Sequence, residues 1–278
     1  MKKIIAAFDG LKFSEATLNY ATELAISGKS VVAGVFLESF LYHSFNLFDM
    51  VGSQGISQTK LKRLLKKDQE TRQQSVESFK RSCDKLAINY LIHQDKSFAI
   101  TDLLKESIYA DLIVIDANET LNHLEPDKPT PFVKELLADA QSPVLVVPPV
   151  YQPFERVIIL FDGHPSSVYA LKMFTYLFPW TAKYPTEIVY VKDRKSALLP
   201  DGDLIGEYAR CHFENLVITQ LTGEPEDKLI AHLKKASPRT VVIMGAYSRG
   251  AVSRMFNNSM ANKLMEALDI PLFIAHHK

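Results

Sequence analysis

Lys3-Ile4-Ile5-Ala6-Ala7-Phe8-Asp9-Gly10 and Arg156-Val157-Ile158-Ile159-Leu160-Phe161-Asp162-Gly163 are two versions of one phrase. Each is a basic residue, an apolar run of strand length and an Asp-Gly turn. A short unbroken apolar run reads as a strand buried on both faces, the kind that parallel sheets contain. Working outward, each half also closes on a Pro-led apolar strand, Pro143-Val144-Leu145-Val146-Val147 and Pro271-Leu272-Phe273-Ile274-Ala275. A repeat this long is a whole domain, not a solenoid module. The chain therefore reads as two copies of one α/β domain, 1–149 and 154–278. Between them Pro148-Pro149-Val150-Tyr151-Gln152-Pro153 is a short, stiff, extended connector.

Within the first copy, apolar runs predict strands at 4–8, 31–37, 88–93, 111–115 and 144–147, and 59–86 reads as one long helix. Ser14 precedes a helical face and reads as its N-cap. The second copy repeats the order, with strands at 157–161, 187–191, 216–221, 240–244 and 272–275 and with Ser166 or Ser167 as the first helix cap. Strands alternating with helices imply βαβ units and a doubly wound parallel sheet.

The composition excludes several function classes. Thirty-two basic residues balance thirty-two acidic ones, whereas duplex nucleic acid normally needs a basic surplus. The local basic stretch 60–67 has apolar residues at helical spacing and reads as a solvated helix face. Cys83 and Cys211 show no disulfide framework or zinc spacing and are expected to be buried, inert thiols. With no signal peptide and no apolar run of membrane-spanning length, the expected location is cytoplasmic. No histidine and carboxylate share metal spacing, and no serine or cysteine sits in a nucleophile elbow. The chain is therefore not expected to be an enzyme.

In a doubly wound sheet, ligands bind beyond the carboxyl ends of the strands, where strand order switches. Asp9 and Asp162 follow the first strands, and Asp116 and Gly245 close the fourth. The second copy continues through Ser248-Arg249 and Arg254 to Asn258-Ser259 at a helix start. Small residues let backbone N–H groups approach an anion, a helix N-terminus adds unpaired donors, and an arginine adds charge. The same pattern also describes a surface loop with an Asn-Ser helix cap. Asp9 and Asp162 can equally serve by bonding the N–H groups of their own turns. No Gly-Lys-Ser/Thr run marks a Walker A loop.

The strands ending in Asp, together with Gly223-Glu224-Pro225 and Met244-Gly245 through Asn258-Ser259, make the chain resemble the universal stress protein family in both halves, as a tandem member. The resemblance implies two tandem doubly wound, adenine nucleotide α-hydrolase-like domains whose last strands pair within the chain as a pseudo-dimer. It also implies ATP or a related adenine nucleotide. The family signature is Gly, two residues, Gly, nine residues, then Gly followed by Ser or Thr. Carried over, the candidate nucleotide-binding residues are Asp162, Val191, Gly245, Ser248, Arg249, Asn258 and Ser259. The pattern departs at Ser248 and Asn258, which stand at the second and third glycines; Asn tolerates a left-handed backbone better than Ser.

The first copy keeps Asp9 and Val35 but loses the loop. Asp116 replaces the first glycine and would repel phosphate. Pro131 falls about where Ser259 sits and lacks an N–H. The insert 118–129 carries Glu119, Glu125 and Asp127, so this copy is expected to be closed to ATP. Two functions are open: a non-catalytic nucleotide-binding stress-response protein, or a nucleotide-independent interaction module. A flavin-binding doubly wound protein is a third, more distant reading. The apolar, aromatic segment 40–50 is expected to pack on a neighbouring repeat or on a second subunit, which would make a homodimer.

Overall fold

The computed structural model describes residues 2–39, 44, 51–52, 55–56, 58–97, 99–120, 128–192, 201–245 and 260–275. The expectation for 40–50 therefore lies, apart from Ser44, outside the described residues. The first half runs β1 (Lys3–Asp9), α1 (Glu15–Gly28), β2 (Val31–Ser39), the two-residue strands β3 (Val51–Gly52) and β4 (Gly55–Ile56), α2 (Gln58–Lys85), β5 (Tyr90–Ser97), α3 (Ala99–Ser107), β6 (Leu112–Asp116), α4 (Pro131–Asp139) and β7 (Val144–Val147). The second runs β8 (Arg156–Leu160), α5 (Pro165–Leu177), a 3-10 turn at Pro179–Lys183, β9 (Thr186–Lys192), α6 (Gly202–Arg210), β10 (Leu216–Thr222), α7 (Pro225–Leu233), β11 (Thr240–Gly245), α8 (Met260–Ala267) and β12 (Leu272–Ala275).

Ten strands form one sheet in the order β10-β9-β8-β11-β12-β7-β6-β1-β2-β5. Read from either edge, each half supplies its third, second, first, fourth and fifth strands. Neighbours within a half are parallel. The halves join where β12 lies antiparallel to β7, with Phe273 opposite Leu145. This is the pairing of last strands that the family resemblance implies. It covers two edges that would otherwise expose unpaired N–H and C=O groups.

Alternation along the strands divides the core between the two faces of the sheet. Ile4, Ala6 and Phe8 point to one face, and Ile5 and Ala7 to the other. Each core cluster contains residues of both halves, so the apolar interior runs across the junction. Phe273 anchors it, fully buried, with Phe174 and Phe178 edge-on at 5.3 and 5.8 Å. Burying such a ring contributes about 1.5–3 kcal/mol.

Ser14 caps α1 as predicted, its hydroxyl accepting from Thr17 N–H. The second copy departs from its prediction. Pro165 opens α5, His164 stands at the N-cap with no side-chain bond, and Ser167 Oγ instead donates to the His164 carbonyl at 2.8 Å. Proline at the first helical position needs no N–H partner and moves the start forward. The third strand of the first copy begins later than predicted. Ala87 is left-handed at φ 52° and Ile88 N–H bonds the Cys83 carbonyl at 3.0 Å, so Ile88 belongs to the close of α2. Cys83 is buried as expected, but Cys211 is exposed, because α6 stops at Arg210 and leaves Cys211 at its end. Lys60, Lys62, Arg63, Lys66 and Lys67 are all exposed on α2. No helix among the described residues is long and apolar enough to cross a membrane.

Candidate functional site

The switch in strand order lies between the first and fourth strands of each half, where connections leave to opposite faces and open a crevice. In the second half this crevice is a cavity of about 570 Å³. Its floor is the ends of β8, β9 and β11, with Leu160, Val189, Val191 and Met244 giving an aliphatic surface. Asp162 closes one side, Glu224 and Pro225 another, and Met260 a third. The first residues of α7 and α8 are thus both at the wall, and helix N-termini carry unpaired N–H groups and a partial positive charge.

Two glycines shape it. Gly223 turns the chain from β10 into α7 at φ 132°, a conformation that L side chains rarely adopt. A Cβ on Gly245 would lie 2.4 Å from the Ser166 carbonyl carbon and 2.6 Å from Ser167 N. Only glycine lets the first turn of α5 sit against the end of β11. This packing requirement explains Gly245 without any ligand.

Asp162 is exposed, and its Oδ1 accepts from His164 N–H at 2.9 Å. It fixes its own turn and still faces the cavity. The described wall holds two carboxylates, Asp162 and Glu224, and among the described residues no lysine or arginine. These carboxylates suit a ligand end rich in N–H and O–H groups.

The structure brings Asp162, Val191 and Gly245 to one cavity. Ser248, Arg249, Asn258 and Ser259 lie outside the described residues, as does Arg254. From sequence, Glu224 and Pro225 figure only in the family resemblance, and Leu160, Leu229 and Met260 not at all as site residues. For Glu224-Pro225 the available signal is Pro at a helix start after a strand. The aliphatic residues carry none, since lining and core leucines look alike.

The equivalent end of the first half is filled by its own carboxylates. Asp116, in the place of Gly245, accepts from Ser14 Oγ at 2.8 Å and from Asn118 N–H at 2.8 Å. Glu119 folds in from the insert. Its Oε2 accepts from Asp9 N–H and its Oε1 from Thr120 N–H, each at 3.1 Å, while Thr130 Oγ1 donates to its carbonyl. Asp9, Asp116 and Glu119 are all buried. Burial, then repulsion from Asp9 and from Asp116, pushes the Glu119 carboxyl up to about 8. Sequence reasoning puts the repulsion on Asp116 and counts Glu119 among the insert's carboxylates, but nothing in the insert's polarity marks Glu119 as the one that folds in. Among the described residues no group of three His, Cys, Asp or Glu could hold a metal ion.

Solved structures share this fold over their full length. A universal stress protein from Archaeoglobus fulgidus DSM 4304 superposes with a TM-score of 0.70 at 12% identity, covering 99% of this chain and 96% of that one. A protein of unknown function from Pseudomonas aeruginosa PAO1 superposes at 0.55 with 15% identity, covering 99% and 92%. No family model and no curated protein matches the sequence. The chain thus has a universal stress protein fold from end to end.

Proposed function

We propose that this chain is a tandem universal stress protein with domains at 1–149 and 154–278, and that the second domain binds ATP or a related adenine nucleotide without turning it over. The contrast between equivalent positions carries this reading. Gly245 borders an open cavity of about 570 Å³, whereas Asp116 and Glu119 occupy the matching end of the first half. Leu160, Val189 and Met244 offer an apolar surface for a purine, and Asp162 and Glu224 offer acceptors for an amine or ribose hydroxyls. The phosphates would lie toward 246–259, with Ser248, Arg249, Asn258 and Ser259 as their ligands. Occupancy would alter partners rather than drive chemistry. A cytoplasmic location and a homodimer belong to the same proposal.

Calorimetric titration of purified protein with Mg-ATP and AMP tests it. Binding is expected, with AMP competing and Asp162→Ala weakening it by about ten-fold, the scale of one hydrogen bond to a charged group. Absence of heat, together with no adenine absorbance in an acid extract of the purified protein, would sink the reading. One observation favours a nucleotide-independent interaction module instead: the described cavity wall carries carboxylates and no cation. Protein that neither retains nor titrates nucleotide belongs to that class.

A further inference from the structure

A second crevice opens on the other side of Phe161, between α5 and α6, with a volume of about 500 Å³. The first half shows why it exists. There Phe8, the equivalent of Phe161, is stacked on Phe13 at 4.8 Å and on Phe36 at 5.2 Å, with Phe79 of α2 edge-on at 5.8 Å. Counting from the Asp-Gly turns, Ser166 replaces Phe13. The helix α6 has 9 residues against 28 in α2. The second half has lost both a ring and most of a helix, and nothing among its described residues refills the space.

The walls are chemically specific. Phe161, Val168, Ile205 and Tyr208 supply apolar and aromatic surface. At the mouth Leu204 is 66% exposed, on the helix that buries Ile205 beside it. Lys172 projects from α5 with its Nζ 5.7 Å from the centre of the Tyr208 ring, and among the described residues no carboxylate forms an ion pair with it. Asp201, at the N-cap of α6, lines the same crevice. An aspartate there ordinarily bonds the first-turn N–H groups, but Asp201 is left-handed at φ 45° and makes no such bond. Its carboxylate is not spent on its own helix, and it lines the crevice.

We propose that this crevice is a second small-molecule site, separate from the cavity at Gly245, for a zwitterionic aromatic compound of the class of the aromatic α-amino acids. The ring lies among the aromatic and aliphatic walls, the ligand carboxylate meets Lys172 and the ligand ammonium meets Asp201. Lys172 and Asp201 are both exposed at the edge of the crevice; a phosphate dianion is disfavoured by Asp201, and an uncharged ring gains nothing from either charge. Pockets of this size and lining, with a few placed polar groups, are the usual form of small-molecule sites.

The test is calorimetric titration of the full chain with L-tryptophan, tryptamine and indole-3-propionate, which present both charges, the cation alone and the anion alone. L-tryptophan should bind about ten-fold tighter than either analogue, the scale of one charge-assisted hydrogen bond. Lys172→Gln should erase its advantage over tryptamine, and Asp201→Asn its advantage over indole-3-propionate. Val168→Trp should fill the crevice and abolish binding. Leu204→Asp, at an exposed position that leaves the core untouched, should weaken it should Val168→Trp fail to fold. Unchanged ligand preferences in both charge variants, no binding of L-tryptophan in the millimolar range, or competitive displacement by Mg-ATP would each overturn the proposal. Failure of nucleotide binding at Gly245 leaves these outcomes unaffected.

Discussion

Replacing Glu119 by glutamine should remove a loss of stability that the first half suffers as pH rises. In the unfolded chain a glutamate titrates near 4.5; in the fold Glu119 keeps its proton up to about 8, through burial and then repulsion from Asp9 and Asp116. Between those values the native state holds a proton that the unfolded state releases. This contribution to stability is complete below pH 4.5, declines as pH rises, and is gone above 8. At about 1.4 kcal/mol per pH unit the gap sets an upper bound of roughly 5 kcal/mol. Because Asp9 and Asp116 share the repulsion, the expected loss between pH 5 and 9 is about 2–4 kcal/mol. Glutamine cannot ionise, but it also cannot accept from both Asp9 N–H and Thr120 N–H, the two bonds that Glu119 makes. Losing one acceptor costs about 1 kcal/mol at every pH. Glu119→Gln should therefore be less stable than the parent at pH 5 and more stable at pH 9, with the two curves crossing between. Urea unfolding at pH steps from 5 to 9 reads this directly. Parallel curves would refute the reasoning, since they would mean that Glu119 is already ionised in the fold.

Gly245→Ala should destabilise the second half by about 3 kcal/mol, because the new methyl meets backbone of Ser166 and Ser167 with no flexible side chain to yield; thermal melts followed by circular dichroism measure it, and an unchanged midpoint would remove the packing role. Thiol titration should count one cysteine in the native protein and two in denaturant. Cys211 is exposed, whereas Cys83 is buried and burial pushes its thiol up to about 11. Rapid labelling of both thiols in the native state would contradict the packing of α2.

The duplication, the parallel sheet and the order of elements follow from the sequence alone, whereas the pairing of the two Pro-led strands is what the family resemblance implies. Apolar runs and Asp-Gly turns are local signals, and a repeat declares its own symmetry. Asp162 and Gly245 stand just after predicted strands and are legible as cavity-edge positions for the same reason, whereas Val191 enters only through the family resemblance. Only the tertiary structure decides what fills each crevice. Glu119 looks like any polar loop residue until the insert folds back and bonds Asp9 N–H. Gly245 reads as a phosphate-loop glycine, and only the fold adds that α5 sits on it. The space beside Phe161 appears only when Ser166 and a short α6 are set against the ring stack of the first half. Such features depend on atoms brought together from distant positions, and no periodicity along the chain records those distances.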